Sequence, residues 1–347
     1  MAGVTLGPLS ILDLATVGRD ETIADSFAGS VALAQLAERT GYTRVWYAEH
    51  HNIRSIASSA TAVLIAHVAA HTSTIRLGAG GVMLPNHSPL VVAEQFGTLA
   101  TLHPGRIDLG LGRAPGTDQR TLQALRRHPA AAEHFPRDVV ELRGLLSDRS
   151  PIPGVRAIPG EGTHVPLYIL GSSLFGAQLA AVLGLPYGFA SHFAPQALHD
   201  AVRVYRERFE PSEQLDRPYV IAGVNVIAAD TEEEARRHLE ITRRARVRSL
   251  FGRGDRRLSD EEVDAILRSP RALAVDEMMR YTAVGTPDAV VAYLDEFRRS
   301  CGADELITVH ATATVPARLR SVELLAEAAG LEPGDRAEPI PGVGAPG

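Results

Sequence analysis

The sequence has few of the features that mark disulfide-bonded, membrane-bound or nucleic-acid-binding proteins. Its 347 residues include one cysteine, Cys301, so neither an internal disulfide nor a four-cysteine zinc site can form. No run approaches the roughly 20 apolar residues of a membrane span, and the N-terminus lacks the pattern of a signal peptide. Basic residues (35) are fewer than acidic residues (41), which argues against a nucleic-acid or membrane footprint. We therefore expect a cytoplasmic protein with no nucleic-acid or membrane partner.

The composition instead favours a large globular core. Hydrophobic residues make up 45% of the chain and charged residues 22%. Aromatic residues are only 5%, so composition gives no indication of a pocket that stacks on a ligand. The length allows either one large α/β barrel or two ordinary domains.

Short β-rich runs alternate with helical patterns along nearly the whole chain. The predicted strands are Leu9–Leu14, Thr43–Ala48, Ile75–Leu84, Arg106–Leu111, Leu167–Leu170, Tyr187–Ala190, Tyr219–Ala228 and Glu305–His310. The predicted helices are Ile23–Thr40, Ser58–Thr72, Pro89–Leu102, Leu174–Leu183 and Pro316–Ala329. Eight alternating units over this length predict a parallel (β/α)8 TIM barrel, with a doubly wound sheet as the alternative.

Two internal segments and the C-terminal tail depart from this alternation. The Pro/Gly-rich stretch 151–165 predicts a loop excursion or a hairpin. The charge-rich stretch 231–281 predicts either a solvated helical decoration or a lid over the barrel mouth. We assign residues 1–330 to a single barrel domain and 331–347 to a loose C-terminal tail.

In a parallel barrel, chemistry takes place where strands end and the following loops begin. Two such places carry unusual residues in the first half of the chain. Glu49-His50-His51 groups three ionisable side chains, and successive residues of an extended chain point to opposite faces, so the two histidines should have different roles. Gly78-Ala79-Gly80-Gly81 is typical of a bulge, a turn or a close approach of a flat ligand to the backbone.

Two further strand ends carry groups suited to an anion. The Gly110–Asp118 loop does not match the dinucleotide pattern G-x-G-x-x-G, because Pro115 occupies the third glycine position. It does present Arg113, which suits either a phosphate or a structural ion pair. Ser172 and Ser173 precede a predicted helix, where serines cap the helix and free N–H groups can bind an anion.

These pieces together resemble the bacterial luciferase-like flavin monooxygenases. The resemblance runs from about Leu9 to Leu325 and rests on five stretches in the same order: Val45–His51, Leu77–Pro85, Pro104–Asp118, Leu170–Gly176 with Leu185–Phe193, and Val284–Pro287. The segments GGVMLPNHSP and GLGRAPGTD most resemble the corresponding segments of the branch that includes actinobacterial polyketide-tailoring enzymes.

The resemblance implies a barrel that binds reduced FMN as a diffusible cosubstrate delivered by a separate NAD(P)H:flavin reductase. It implies a homodimer that reacts with O2 through a C4a-(hydro)peroxyflavin and hydroxylates, epoxidises or inserts oxygen into an organic substrate. His50 matches the catalytic histidine near the flavin, and Gly80–Gly81 matches a non-prolyl cis peptide beside the isoalloxazine. The expected cofactor-binding residues are Gly80, Gly81, Arg113, Ser172, Ser173 and Gly176.

The substrate pocket is expected to include His51, Met83, Ser191 and His192, and no metal is expected. Gly112 and Ser191 stand where bacterial luciferase has a cysteine and a tryptophan, so light emission from an aldehyde is not expected. Three alternatives stay open: hydride transfer with the deazaflavin F420, flavin binding without catalysis, and a metal-dependent barrel hydrolase.

Overall fold

Nine parallel strands form one sheet in the computed structural model, which describes residues 6–114, 116–252 and 258–334. The strands are β1 Leu9–Asp13, β2 Arg44–Tyr47, β3 Arg76–Met83, β4 Ile107–Gly112, β5 Leu167–Gly171, β6 Tyr187–Phe189, β7 Val220–Ala228, β8 Thr282–Gly285 and β9 Glu305–His310. Neighbours in the sheet follow the order β6-β5-β4-β3-β2-β1-β9-β7, and β6 also pairs with β7. That last pairing closes an eight-stranded barrel, which confirms the predicted fold.

Helices cover the outside of the barrel. They are α1 Ile23–Thr40, α2 Thr61–Ala69, α3 Pro89–Leu102, α4 Gln119–Ala124, α5 Phe135–Leu146, α6 Leu174–Leu183, α7 Leu198–Glu207, α8 Glu232–Phe251, α9 Asp260–Leu267, α10 Ala272–Met278, α11 Pro287–Cys301 and α12 Val315–Ala329. Short 3-10 helices occupy Leu84–Asn86 and Pro129–His134. Among the helices of the described residues, none has the length and apolar composition needed to cross a membrane.

Local sequence signals explain where α1 begins and ends. The Thr22 side chain accepts the N–H of Asp25, and the Asp25 carboxylate accepts the N–H of Thr22, so the two residues form a capping box. Gly41 ends the helix at φ 88°, a left-handed conformation that glycine adopts without strain.

The strand β8 was not predicted. It pairs with the second half of β7 in register Asn225↔Thr282 to Ala228↔Gly285, while the first half of β7 pairs with β6. The strand predicted as the eighth, Glu305–His310, is therefore the eighth strand of the barrel but the ninth of the chain. β8 is only four residues long and lies beside the barrel. So short a strand shows too little hydrophobic alternation to be distinguished from a loop in the sequence.

The charge-rich stretch 231–281 forms the helices α8, α9 and α10, except for residues 253–257, which lie outside the described residues. Val247, Val263, Ile266, Val275 and Met279 form a small apolar cluster of their own within it. The segment 151–165 contains neither strand nor helix, so of the two expectations it is a loop excursion. Of the expected tail, residues 335–347 lie outside the described residues.

A buried ionic network fills the barrel interior at the N-terminal ends of the strands. The Arg44 guanidinium donates to Asp108 Oδ2 at 2.8 Å, to Glu305 Oε1 at 3.0 Å and to the Tyr168 hydroxyl at 2.7 Å. Arg76 also pairs with Asp108. Because β2, β4 and β9 are not neighbours in the sheet, these contacts cross the interior. The N-terminal end is closed, and a ligand has to enter at the other end.

We expect Arg44→Met to destabilise the protein by about 3–5 kcal/mol, because it leaves the Asp108 and Glu305 carboxylates buried without a cation. The control is Arg203→Met, which removes an exposed cation paired with Asp200 and Glu207 and should change stability by less than about 1 kcal/mol. Urea unfolding followed by circular dichroism measures both. Equal midpoints for the two variants would contradict the role given to the network.

Candidate functional site

Five loops meet at the C-terminal end of the barrel because all the strands are parallel. They follow β2, β3, β4, β5 and β6, and the site residues predicted from the sequence lie on these loops, in β3 or in the first turn of α6. Direct contacts join the loop after β2 to the loop after β4. The His51 N–H donates to the Gly116 carbonyl at 3.4 Å, and the Thr117 hydroxyl donates to the His51 carbonyl at 3.2 Å. With the bond from the Met83 N–H to Glu49, residues 49–51, 83 and 116–117 therefore belong to one continuous rim.

The Glu49 carboxylate organises this side of the rim. It is buried and lies 2.8 Å from His51 Nε2 and 2.9 Å from His87 Nε2. It also accepts the backbone N–H of Met83 at 3.0 Å. One carboxylate thus connects the loop after β2 with the loop after β3. The sequence did not indicate His87 as a partner, because a histidine 38 residues away gives no periodic signal.

These contacts change the pKa values of both partners. Burial would raise the pKa of Glu49, but the hydrogen bonds from His51 and His87 outweigh burial and lower it to about 2. A lowered folded-state pKa stabilises the fold above the ordinary carboxyl range, and this stability is lost as pH falls toward 2. The hydrogen bond to Glu49 raises the pKa of His51, with burial opposing it.

The His50 side chain takes no part in the hydrogen bonds of this cluster among the described residues. Its Nδ1 is buried and has no hydrogen-bond partner among the described residues. Burial lowers the pKa of His50, the Glu49 carboxylate opposes that effect, and the charges of His51 and Arg246 add to it. The imidazole is therefore neutral at pH 7, with a ring nitrogen free to donate or accept a proton.

The glycines of β3 are explained by the barrel itself. The register between β3 and β4 shifts between Ala79 and Val82, which is a bulge, and the Gly80–Gly81 peptide is cis. A Cβ at Gly80 would lie 2.7 Å from Leu12 Cδ1, and a Cβ at Gly81 would lie 2.7 Å from the Gly110 carbonyl oxygen. The bulge interpretation of this motif is confirmed, and the close approach of the neighbouring strands is by itself enough to require both glycines.

Arg113 and the N-terminus of α6 lie side by side on the part of the rim that follows β4 and β5. The Arg113 guanidinium stacks on the ring of Phe175 in the first turn of α6, 4.2 Å from its centroid. Ser173 occupies the N-cap position but makes no side-chain capping bond. Ser172 precedes it, and Gly176 is buried against Tyr187. An exposed cation beside the free N–H groups of a helix is suited to a phosphate.

Some of the residues expected in the substrate pocket lie in the barrel wall, and the others lie beside its C-terminal opening. Ser191 is fully buried, and its hydroxyl donates to the Gly223 carbonyl at 2.6 Å, so it belongs to the barrel wall. His192 has an unpartnered Nδ1 among the described residues, and Asn225 Nδ2 donates to its carbonyl at 2.6 Å. Burial lowers the pKa of His192 to about 3, with the charge of Arg246 adding to the effect. Met83 and His51 are partly buried beside Glu49.

Within residues 6–114, 116–252 and 258–334, no three histidine, cysteine or acidic side chains form a group that could hold a metal ion.

Comparison with known proteins identifies a family. The model of the luciferase-like monooxygenase family matches residues 8–305. The luciferase-like monooxygenase of Escherichia coli K12 is 48% identical over 317 residues, 91% of this chain and 95% of its own. The N-acetyl-S-alkylcysteine monooxygenase of Bacillus subtilis is 38% identical over 268 residues, 75% and 79% of the two chains. The crystal structure of apo-MsnO8 superposes with a TM-score of 0.85 at 38% identity, covering 94% and 98%.

More distant structures share the fold but differ in cofactor. The oxygenating constituent of 3,6-diketocamphane monooxygenase from Pseudomonas putida, solved with FMN, has a TM-score of 0.69 at 17% identity, covering 94% of this chain and 98% of its own. An F420-dependent secondary alcohol dehydrogenase, solved with an F420–acetone adduct, has a TM-score of 0.67 at 15% identity, covering 93% and 99%. The fold alone therefore does not select the cofactor.

We expect Glu49→Gln to lower the pKa of His51, because the charged acceptor that stabilises its protonated form is lost. In the wild type the His51 pKa should lie above 6.5, and in the variant it should fall back toward that value. NMR titration of the labelled histidine rings measures this change. A matched control is Glu161→Gln, which removes an exposed ion pair with Arg156 and should leave His51 unchanged. An unchanged His51 titration in Glu49→Gln would contradict the assignment.

Proposed function

The chain belongs to the luciferase-like monooxygenase family, and from this premise we propose that it is a two-component monooxygenase that uses reduced FMN and O2. Reduced FMN would be a diffusible cosubstrate made by a separate NAD(P)H:flavin reductase in the cytoplasm. The product would be a hydroxylated, epoxidised or oxygen-inserted organic molecule. We also propose a homodimer, since α2 and α3 expose apolar side chains such as Val63 and Leu102.

One observation carries the proposal: Arg113 stacks on Phe175 at the N-terminus of α6, where the Ser173 hydroxyl makes no capping bond. In this proposal Arg113, Ser172, Ser173 and the backbone of α6 as far as Gly176 hold the FMN phosphate. A guanidinium provides charge and paired donors, and the helix N-terminus provides unpaired N–H groups. The stack on Phe175 fixes the guanidinium plane before the ligand arrives.

The isoalloxazine ring would lie toward the centre of the mouth, beside the Gly80–Gly81 bulge and His50. Reduced FMN, when bound, supplies the two electrons that activate dioxygen. Val82 and Phe189 are buried, and Met83 is partly buried, so these apolar side chains would keep water out of the site. The helices α8–α10 would cover the mouth as a lid.

His50 is the proposed catalytic acid/base. Its imidazole is neutral at pH 7, its Nδ1 has no partner among the described residues, and it lies at the end of β2 beside the mouth. A neutral imidazole accepts a proton from a reacting group and returns it in a later step. The hydrogen bond between Glu49 and His51 holds the loop in place.

The organic substrate is proposed only by class. The resemblance found in the sequence points to a polyketide intermediate, and a relative at 38% identity acts on N-acetyl-S-alkylcysteines. Both are organic molecules that accept an oxygen atom, and both fit the proposed reaction.

We expect Arg113→Met to weaken binding of reduced FMN at least about tenfold, because a charge-assisted hydrogen bond to phosphate is worth about 1.5–3 kcal/mol. Anaerobic fluorescence or calorimetric titration measures the dissociation constant. Arg120→Met, which removes an exposed arginine from the next helix, is the control and should bind normally. A parallel titration with reduced F420 tests the alternative cofactor. Tighter binding of F420, or normal FMN binding by Arg113→Met, would count against the proposal.

We expect His50→Ala to bind reduced FMN within about twofold of the wild type but to form product about 100-fold or more slowly, because a positioned acid/base contributes 10²–10⁴-fold. Candidate thioethers and ketones are screened by mass spectrometry for oxygen incorporated from isotope-labelled O2. His71→Ala, an exposed histidine at the end of α2, is the control. Full turnover by His50→Ala would remove His50 from the mechanism.

A further inference from the structure

Helix α8 carries one arginine that differs from all the others. Arg236, Arg237, Arg243, Arg244 and Arg248 each lie within 4.0 Å of a carboxylate of Glu232, Glu233, Asp276, Asp264 or Asp260. Arg246 forms no ion pair or hydrogen bond with any of the residues that the structure describes. It is also partly buried, whereas an unpaired guanidinium is ordinarily left in water.

The position of Arg246 follows from its neighbours on the helix. Thr242, one turn earlier on the same face, donates its hydroxyl to the Ala311 carbonyl at 2.7 Å, and Ala311 directly follows β9. Val247 is fully buried in the apolar cluster of α8–α10. The Arg246 face of α8 therefore packs onto the C-terminal end of the barrel.

Two histidines lie within range of the Arg246 charge. His50 follows β2 and His192 follows β6, strands on opposite sides of the eight-stranded barrel. The charge of Arg246 acts on both imidazoles and lowers their pKa values, together with burial. Each imidazole has an Nδ1 that is buried and lacks a partner within the described ranges. Two imidazoles with unused hydrogen-bonding capacity therefore lie on opposite sides of the mouth, within range of the Arg246 charge.

No carboxylate of the described chain is available to this group. Glu49 is the acidic residue whose charge acts on His50, and its oxygens already accept from His51, His87 and the Met83 backbone. A cation held out of bulk water without a counter-ion favours binding of an anion, and a planar guanidinium suits a carboxylate best.

We propose that Arg246 is a substrate-binding residue that recognises a carboxylate on the organic substrate, with His50 and His192 lining the same site. This inference rests on the proposed function for the identity of the ligand as substrate. It narrows the substrate class to organic acids and gives the 231–281 insertion a role in specificity. Arg113 and Arg246 would then serve different anions, the cofactor phosphate and the substrate carboxylate.

The test compares carboxylates with their neutral amides on the full-length protein. Acetate, benzoate and 2-naphthoate are titrated against acetamide, benzamide and 2-naphthamide, with the ring signals of His50 and His192 followed by NMR. We expect at least one acid to bind about tenfold more tightly than its amide, which corresponds to about 1.4 kcal/mol. Arg246→Met should abolish the preference, and Arg246→Lys should retain part of it. Arg243→Met, on the same helix but paired with Asp276, should behave as the wild type.

Two further measurements separate this inference from its competitors. Removing an unpaired, partly buried cation should leave the melting temperature unchanged or higher, so a lower melting temperature for Arg246→Met would mean a structural role. Anaerobic titration should show the same affinity of Arg246→Met for reduced FMN as the wild type, whereas a selective loss would assign Arg246 to the flavin. Either result, or no acid preferred over its amide, overturns the inference. Because the acid titration uses no flavin and no O2, its outcome is independent of whether FMN is the cofactor.

Discussion

Arg44 holds the carboxylates of Asp108 and Glu305 across the inside of the barrel, at the end where the strands begin. Every charge in this network has a partner: Arg76 pairs with Asp108, and Tyr219 donates to Glu305 at 2.8 Å. Pairing is obligatory there because a buried, uncompensated charge would cost several kcal/mol. The network fills the interior and leaves the opposite end as the place where ligands can bind. At the C-terminal end, by contrast, polar groups are left unpaired: His50, His192 and Arg246 keep nitrogen atoms without partners among the described residues.

At the C-terminal end, the Glu49 carboxylate holds the loops of the mouth in a fixed arrangement. Its carboxylate holds His51, His87 and the Met83 backbone, and so it ties together the loops of β2 and β3. His50 directly follows Glu49 in the chain, so the carboxylate of this arrangement and the proposed reactive group lie on consecutive residues. A group supported by rigid contacts of its neighbours loses little entropy when a ligand binds.

The sequence predicted the barrel and the strand ends well, because strands with continuous apolar runs and helices with clear stops are local signals. The short strand β8 and the helices α5, α7 and α11 were not assigned, since their amphipathic patterns lie among loops and decorations. The contact of His87 with Glu49 and the stack of Arg113 on Phe175 depend on which loops become neighbours in the closed barrel. The sequence indicated Gly80 and Gly81. The reason that these positions need glycine is a tertiary contact, the close approach of Leu12 and Gly110, which the sequence does not show.

Arg246 shows most clearly what a sequence cannot reveal. It lies in a run of arginines from 243 to 248 that looks like an ordinary solvated face, and only tertiary contacts separate it from its neighbours. Asp276, Asp264 and Asp260, on or at the start of other helices, neutralise the arginines around it and leave it alone. A helix already anchored through Thr242 and Val247 holds this cation in place over the mouth. An unpaired cation so placed contributes nothing to folding, and residues kept at a cost to stability are those expected at functional sites.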